Sequence, residues 1–81
     1  MNYYKMTPVE IFEYKLKWKP GYTVRLHSDL RSQGKDFCKT QMFKTQWDMT
    51  EYTDVYEDTF YFEYKRDANQ FAAQWPKFVN Q

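Results

Sequence analysis

The sequence predicts a small α+β domain, and three observations carry that expectation. Helical and strand periodicities occur side by side: Ile11, Tyr14 and Trp18 recur at three- and four-residue spacing, whereas Phe60, Phe62 and Tyr64 alternate with Tyr61, Glu63 and Lys65. The few breakers (Gly21, Gly34, Pro8, Pro20 and Pro76) fall between such segments or at their ends, apart from Gly34. The apolar content is aromatic: 8 Tyr, 7 Phe and 3 Trp stand against one Ile, three Leu and four Val. Leu, Ile, Val and Phe make up only 15 of 81 residues, a level that signals disorder when the net charge is high, but here it is +1. Tyr and Trp supply the missing area, since each buries about 150–250 Å². The chain is expected to be one domain, 1–81, with an aromatic core.

Thr7-Pro8-Val9-Glu10 opens the first helix. Thr7 is placed to cap, Pro8 suits the first helical position, and Glu10 stands three residues on to bond back. Met6 and Ile11 are spaced as a hydrophobic staple, and Phe12 and Leu16 are i,i+4 neighbours beside the Ile11–Tyr14–Trp18 row. Lys15, Lys17 and Lys19 suit the C-terminal end of the dipole before Pro20-Gly21 stops the helix.

Tyr22–His27 reads as a strand, with Tyr22, Val24 and Leu26 on one face and Thr23, Arg25 and His27 on the other. Ser28 or Asp29 then caps a second helix whose stripe is Leu30, Gly34, Phe37, Cys38 and Met42. Gly34 costs that helix about 1 kcal/mol relative to Ala, which points to a close helix–sheet approach.

Residues 45–53 read as a second strand, with Trp47 and Met49 opposite Asp48, Thr50 and Tyr52; 54–58 is a turn and 59–65 the third strand. Asp67 is placed to cap a last helix with Gln70 as its box partner and Ala68, Phe71, Ala72 and Trp75 as its buried stripe. Phe78 and Val79 end the chain as a tail tucked against the core.

A short loop makes the second and third strands antiparallel. A right-handed crossover from the first strand to the second, with the most apolar strand central, gives a three-stranded sheet of order 1-3-2 with helices on one face. This is a truncated ferredoxin-like, or split βαβ, arrangement with an extra N-terminal helix.

Composition excludes several function classes. No apolar run approaches the roughly 20 residues of a membrane span and the N-terminus carries no signal-peptide block, so neither a membrane nor secretion is expected. One cysteine, Cys38, allows no internal disulfide and no cysteine-rich zinc site. Asp54, Glu57 and Asp58 lack calcium-loop spacing, and the two glycines stand too far apart for a phosphate loop. No cofactor is expected. Cys38 and His27 are the only residues of their kinds; a helix starting at Asp29 carries Cys38 about 13 Å along its axis, too far for a nucleophile–base pair with His27. An enzyme is not expected.

Charge is unevenly distributed. Residues 1–44 carry nine Lys/Arg against four Asp/Glu, and residues 45–81 carry three against seven, with Asp48, Glu51, Asp54, Glu57 and Asp58 forming an acidic run. Such a split predicts a dipolar surface that orients association with a charged partner, and the acidic run itself offers a mimic of nucleic-acid phosphates. If helices cover the Phe60/Phe62 face, the other face displays Thr23, Arg25, His27, Tyr61, Glu63 and Lys65. Aromatic and basic groups on an open sheet are how RNA-recognition domains stack bases, but the motif of those domains is missing and Glu63 repels phosphate, so nucleic acid is the alternative partner rather than the expected one.

The expected function is binding to another protein, as a monomer or a homodimer. Tyr and Trp dominate interface hot spots, and Tyr3, Tyr4, Tyr52, Tyr56 and Tyr61 are candidate surface anchors. Tyr52 and Tyr56 are interleaved with the acidic run, so the expected partner-binding set is Tyr52, Asp54, Tyr56, Glu57, Asp58 and Tyr61.

Thr-Pro-Val-Glu-Ile-Phe-Glu-Tyr-Lys at 7–15, Pro-Gly-Tyr-Thr-Val-Arg-Leu-His-Ser-Asp-Leu at 20–30 and Tyr-Glu-Asp-Thr-Phe-Tyr-Phe-Glu-Tyr at 56–64, followed by Lys-Arg-Asp-Ala-Asn-Gln-Phe, resemble segments of small uncharacterised proteins encoded by tailed phages of marine cyanobacteria. The resemblance carries no functional residue. It implies a viral protein made in the cytoplasm of a bacterial cell, of the accessory kind that binds and redirects a host protein or of the kind that enters the virion.

Overall fold

A computed structural model describes residues 6–80. In chain order the elements are α1 (Pro8–Trp18), β1 (Tyr22–His27), a 3₁₀ turn (Ser28–Leu30) running into α2 (Arg31–Gln41), β2 (Trp47–Asp54), β3 (Glu57–Phe62), α3 (Lys65–Gln74) and β4 (Val79–Asn80). The result is a compact α+β domain with an open, wholly antiparallel sheet. The sheet has four strands rather than three, in the order β2-β3-β1-β4. The chain end expected as a tucked tail pairs with β1 through Arg25↔Asn80 and Leu26↔Val79.

Register puts Trp47, Phe62 and Tyr22 in one row and Met49, Phe60 and Val24 in the next, all on one face. Helices α2 and α3 pack on this face. Val24, Leu26, Cys38, Phe60, Phe62, Ala68, Phe71 and Ala72 form the buried core, and Phe71 is its hub, with ring centroids 4.6 Å from Phe60, 5.1 Å from Phe62 and 5.2 Å from Trp75. These tilted and edge-to-face contacts suit aromatic quadrupoles and stand in for the missing aliphatic packing.

Gly34 explains how α2 comes so close. A Cβ built there lies 2.8 Å from Leu26 Cδ2 and 2.9 Å from Phe60 Cζ, closer than real contacts allow. The helical penalty of glycine is the condition for α2 to lie flat on β1 and β3.

Helix α1 is fastened differently. Thr7 and Glu10 form the expected capping box, yet no residue of α1 is fully buried. Ile11, Tyr14 and Trp18 face the protein, while Val9, Phe12 and Leu16 are each about 60% exposed. Polar contacts hold the helix: Trp18 Nε1 donates to the Thr45 carbonyl at 2.9 Å, Tyr14 donates to Glu63, and Lys15 and Lys19 reach Asp48. Lys19 Nζ lies 4.4 Å over the Tyr61 ring, on the face opposite the core, so α1 clamps the sheet margin rather than extending the α2–α3 layer.

Two expected caps differ. Helix α3 starts at Lys65 behind Tyr64, so Asp67 sits inside the first turn instead of capping it, and Lys65 belongs to the helix and not to β3. The 3₁₀ turn is capped by His27 Nδ1, which accepts from the Asp29 N–H at 3.2 Å, because the Ser28 hydroxyl is directed to Asp58.

Gly34→Ala is expected to destabilise the fold. Overpacking costs about 1–3 kcal/mol where Leu26 and Phe60 are fully buried, and the gain of about 1 kcal/mol in helix propensity only partly offsets it. Chemical denaturation of the two proteins checks this; a midpoint at or above the parent's contradicts it.

Candidate functional site

The β2–β3 hairpin carries most of the residues expected at an interface. Asp54↔Glu57 pairing leaves Val55 and Tyr56 as a two-residue connection, and a register shift between Thr50 and Asp54 places a bulge at Tyr52. Both tyrosines have left-handed backbones, with φ 51° at Tyr52 and 59° at Tyr56. Glycine or asparagine normally fills such positions, because the Cβ crowds the carbonyl at a cost of about 1–2 kcal/mol per residue.

The contacts that hold each tyrosine converge on Asp58 and its neighbours. Asp58 is on β3 two residues before Phe60, hence on the core face, and is fully buried. Arg31 Nε donates to its Oδ2 at 3.0 Å and Arg31 Nη2 to its Oδ1 at 2.9 Å, a two-point grip. The Tyr52 N–H (2.9 Å) and the Ser28 hydroxyl (3.3 Å) also donate to Oδ1. Burial pushes the Asp58 carboxyl upward, but the Arg31, Tyr52 and Ser28 donors outweigh it and hold the group below the ordinary aspartate range. Arg31 in turn is held more firmly protonated than a free arginine by Asp58 and Tyr52. Its guanidinium lies 4.4 Å over the Tyr52 ring and 3.6 Å from Glu51. At the turn, the Ser28 N–H donates to the Tyr56 carbonyl at 2.8 Å, the Tyr56 ring lies parallel to His27, and the Val55 N–H donates to Asp54 Oδ1.

The expected partner-binding residues therefore separate. Tyr52 and Tyr56 are about two-thirds exposed at one end of the molecule, and Asp54 is exposed beside them. Glu57 is half-buried and accepts from Asn80 Nδ2 at 2.9 Å. Asp58 is not a surface anchor: facing inward on the strand, its carboxylate is wholly consumed by internal donors. Tyr61 is four residues farther along β3, about 13 Å from the hairpin end, and half-covered beneath Lys19. Tyr3 and Tyr4 lie outside the described residues. Val55, 74% exposed between the two tyrosines, belongs to this surface although sequence reasoning passed over it. Its signal was its place beside Tyr56 in a turn otherwise made of acids and tyrosines.

The acidic run is matched by cations of the first half of the chain. Each acid of the 48–58 run has a cation from the first half of the chain within 4.0 Å: Lys15 and Lys19 for Asp48, Arg31 for Glu51 and Asp58, and Arg25 for Asp54 and Glu57. Lys15, Lys19, Arg25 and Arg31 thus bring basic residues of the first half against the acids of the second. Arg25, a candidate for nucleic-acid contact on the open face, is already shared between two carboxylates.

Cys38 is fully buried, and burial, with the Asp67 carboxylate adding to it, pushes its thiol up to about 12. Among the described residues no group of three or more His, Cys, Asp or Glu side chains is arranged to hold a metal, and no helix is long and apolar enough to cross a membrane. No family model, curated protein or solved structure matches this chain.

Two predictions follow from Asp58 and Cys38. Asp58 contributes stability that is complete above the ordinary aspartate value of 3.8 and is lost as pH falls through its lower folded value. Asp58→Asn is expected to cost on the order of 2–4 kcal/mol at pH 7 and to flatten the acid limb of a stability-against-pH curve; parallel acid limbs for variant and parent would contradict it. For Cys38, a disulfide reagent is expected to leave the thiol unmodified in the folded protein at pH 8 and to react fully in denaturant, because the thiolate is the reactive form.

Proposed function

We propose that this protein is a non-catalytic binding module, phage-encoded and working in the host bacterial cytoplasm, that engages and modulates a host protein through the end of its β2–β3 hairpin. The observation that carries this reading is the pair of left-handed tyrosines, Tyr52 and Tyr56, whose rings stand exposed around Val55 on a turn fixed from below by Asp58 and Arg31. Aromatic anchors held in place before association lose little freedom on binding, and such residues supply most of the energy of protein interfaces. Neutralisation of the acidic run moves the weight of the reading from charge to shape and aromatic area. The phage origin rests on the segment resemblance at 7–15, 20–30 and 56–64.

The fold, on this proposal, is of the ferredoxin-like type with an added N-terminal helix. The order β1-α2-β2-β3-α3-β4 and the sheet order β4-β1-β3-β2 support it.

The experiment is an affinity capture from host lysate, nuclease-treated and untreated, with three baits: the parent, the double variant Val55→Ser/Tyr56→Ala, and Arg25→Glu on the open sheet face. The parent and Arg25→Glu are expected to retain the same host protein in stoichiometric amount. The hairpin variant, with an unchanged circular dichroism spectrum, is expected to retain at least about ten-fold less, the loss typical of an interface anchor. Equal capture by the hairpin variant overturns the assignment of the surface. Retention that disappears with nuclease, or with Arg25→Glu, transfers the function to nucleic acid on the open face, and an empty column to self-assembly or the virion.

A further inference from the structure

At the other end of the β2–β3 ladder a cleft of about 670 Å³ opens between the start of α1, the 42–46 loop and the first turn of α3. This is within the range of small-molecule sites, about 300–1,000 Å³. Two of its lining residues are polar and almost wholly buried: Thr45 is 1% exposed and Asp67 5%. Thr45 Oγ1 and Asp67 Oδ2 have no hydrogen-bond partner. Nearly all buried polar atoms are satisfied, so two orphans on the wall of one cleft call for a ligand that supplies donors. The terminal torsion of an aspartate is soft and a threonine hydroxyl rotates freely, so both can turn to an incoming group.

The rim adds a second constraint. Lys39, Lys44 and Arg66 line the cleft with Asp67; Arg66 Nε lies 3.8 Å from Asp67 Oδ1, which leaves the two lysines as the unmatched cations. Lys39 and Lys44 form no ion pair among the described residues, in contrast to Lys15 and Lys19, which share Asp48. The ligand is therefore an anion at one end and a donor at the other. Inorganic phosphate answers the cations but is repelled by Asp67 and leaves its Oδ2 without a donor. A zwitterionic amino acid answers Asp67 but leaves the surplus positive charge.

We propose that this cleft binds a guanine nucleotide. Guanine presents two adjacent donors, its N1–H and 2-amino group, to Asp67 and an acceptor, O6, beside them for the Thr45 hydroxyl, whereas adenine offers an unprotonated ring nitrogen that the carboxylate repels. The phosphate lies toward Lys39, Lys44 and Arg66, and Ile11 and Met42 supply apolar surface for the faces of the base. The site is independent of the hairpin surface, from which the length of β2 and β3 separates it.

Titration of the ¹⁵N-labelled full chain with GMP, AMP and inorganic phosphate, followed by amide shifts, tests this. GMP is expected to shift the amides of residues 39–46 and 65–67 and to bind at least about ten-fold more tightly than AMP, the discrimination a well-paired base edge supplies. Asp67→Asn is expected to abolish the preference. Lys44→Ala is expected to weaken GMP and AMP by the same factor and to reduce the dependence on salt. The proposal is overturned if millimolar GMP leaves those amides unmoved, if AMP or phosphate binds as tightly as GMP, or if Asp67→Asn keeps the preference. Should Asp67→Asn not fold, the GMP-to-AMP ratio of the parent and the Lys44→Ala result decide the matter.

Discussion

A single buried carboxylate organises one half of this molecule. Asp58 occupies a core-facing position of β3 where an apolar side chain would ordinarily stand, and it is fully withdrawn from water. An uncompensated charge there would be prohibitive, so the position is tenable only with the donors that surround it. Those donors come from two separated segments: Ser28 and Arg31, where the 3₁₀ turn runs into α2, and the Tyr52 backbone at the β2 bulge. Satisfying Asp58 therefore sets where α2 starts, where β2 breaks register and which way the hairpin points. Buried ion pairs are weak evidence for stability, but here the geometry argues for specificity: an apolar residue at 58 would pack, yet the hydrogen bond that holds the left-handed backbone of Tyr52 would be lost.

The other half depends on close approach rather than charge. Phe71 contacts Phe60, Phe62, Phe37 and Trp75, and Gly34 lets α2 descend far enough for that cluster to close. With eight buried hydrophobic residues among those described, the core is small, and a missing or extra methyl group is felt across it. Helix α1 adds little to this core. It is fixed by the Trp18 indole and by lysines that lie along Trp47 and Tyr61, an amphipathic use of their stems that leaves the opposite side of α1 in water.

What the sequence made legible follows from these two regimes. Strand β1 was readable to its ends, because its alternation is strict and a glycine precedes it; the stripe of α3 and the role of Gly34 were readable because side chains at helical spacing meet one surface. The α3 start was not, since Asp67 and Gln70 mimic a capping box while the helix in fact begins behind Tyr64, leaving Asp67 buried within its first turn. Asp58 was misplaced for a related reason. Set among Asp54 and Glu57 it looks like one more solvated acid, although its parity with Phe60 and Phe62 already placed it inward. Its partner Arg31 is 27 residues away, and no local pattern joins the two. The left-handed tyrosines were equally hidden, because their conformations are imposed by tertiary contacts and run against their own propensity.

The electrostatics carry the same lesson to the surface. A chain with a basic first half and an acidic second half invites the reading of a dipole, but the folding topology lays β1, α1 and the start of α2 against β2 and β3, so opposite charges meet within the domain. Exposed pairs of this kind contribute little stability, about 0–1 kcal/mol each. Their larger consequence is subtraction: they leave the hairpin end aromatic and nearly neutral, and they leave Lys39 and Lys44 without carboxylates at the far end. Two differently equipped ends thus arise from one pairing scheme, the first presenting Tyr52, Val55 and Tyr56, the second Lys39 and Lys44 beside the buried Asp67. Net charge, which is close to zero, conceals both.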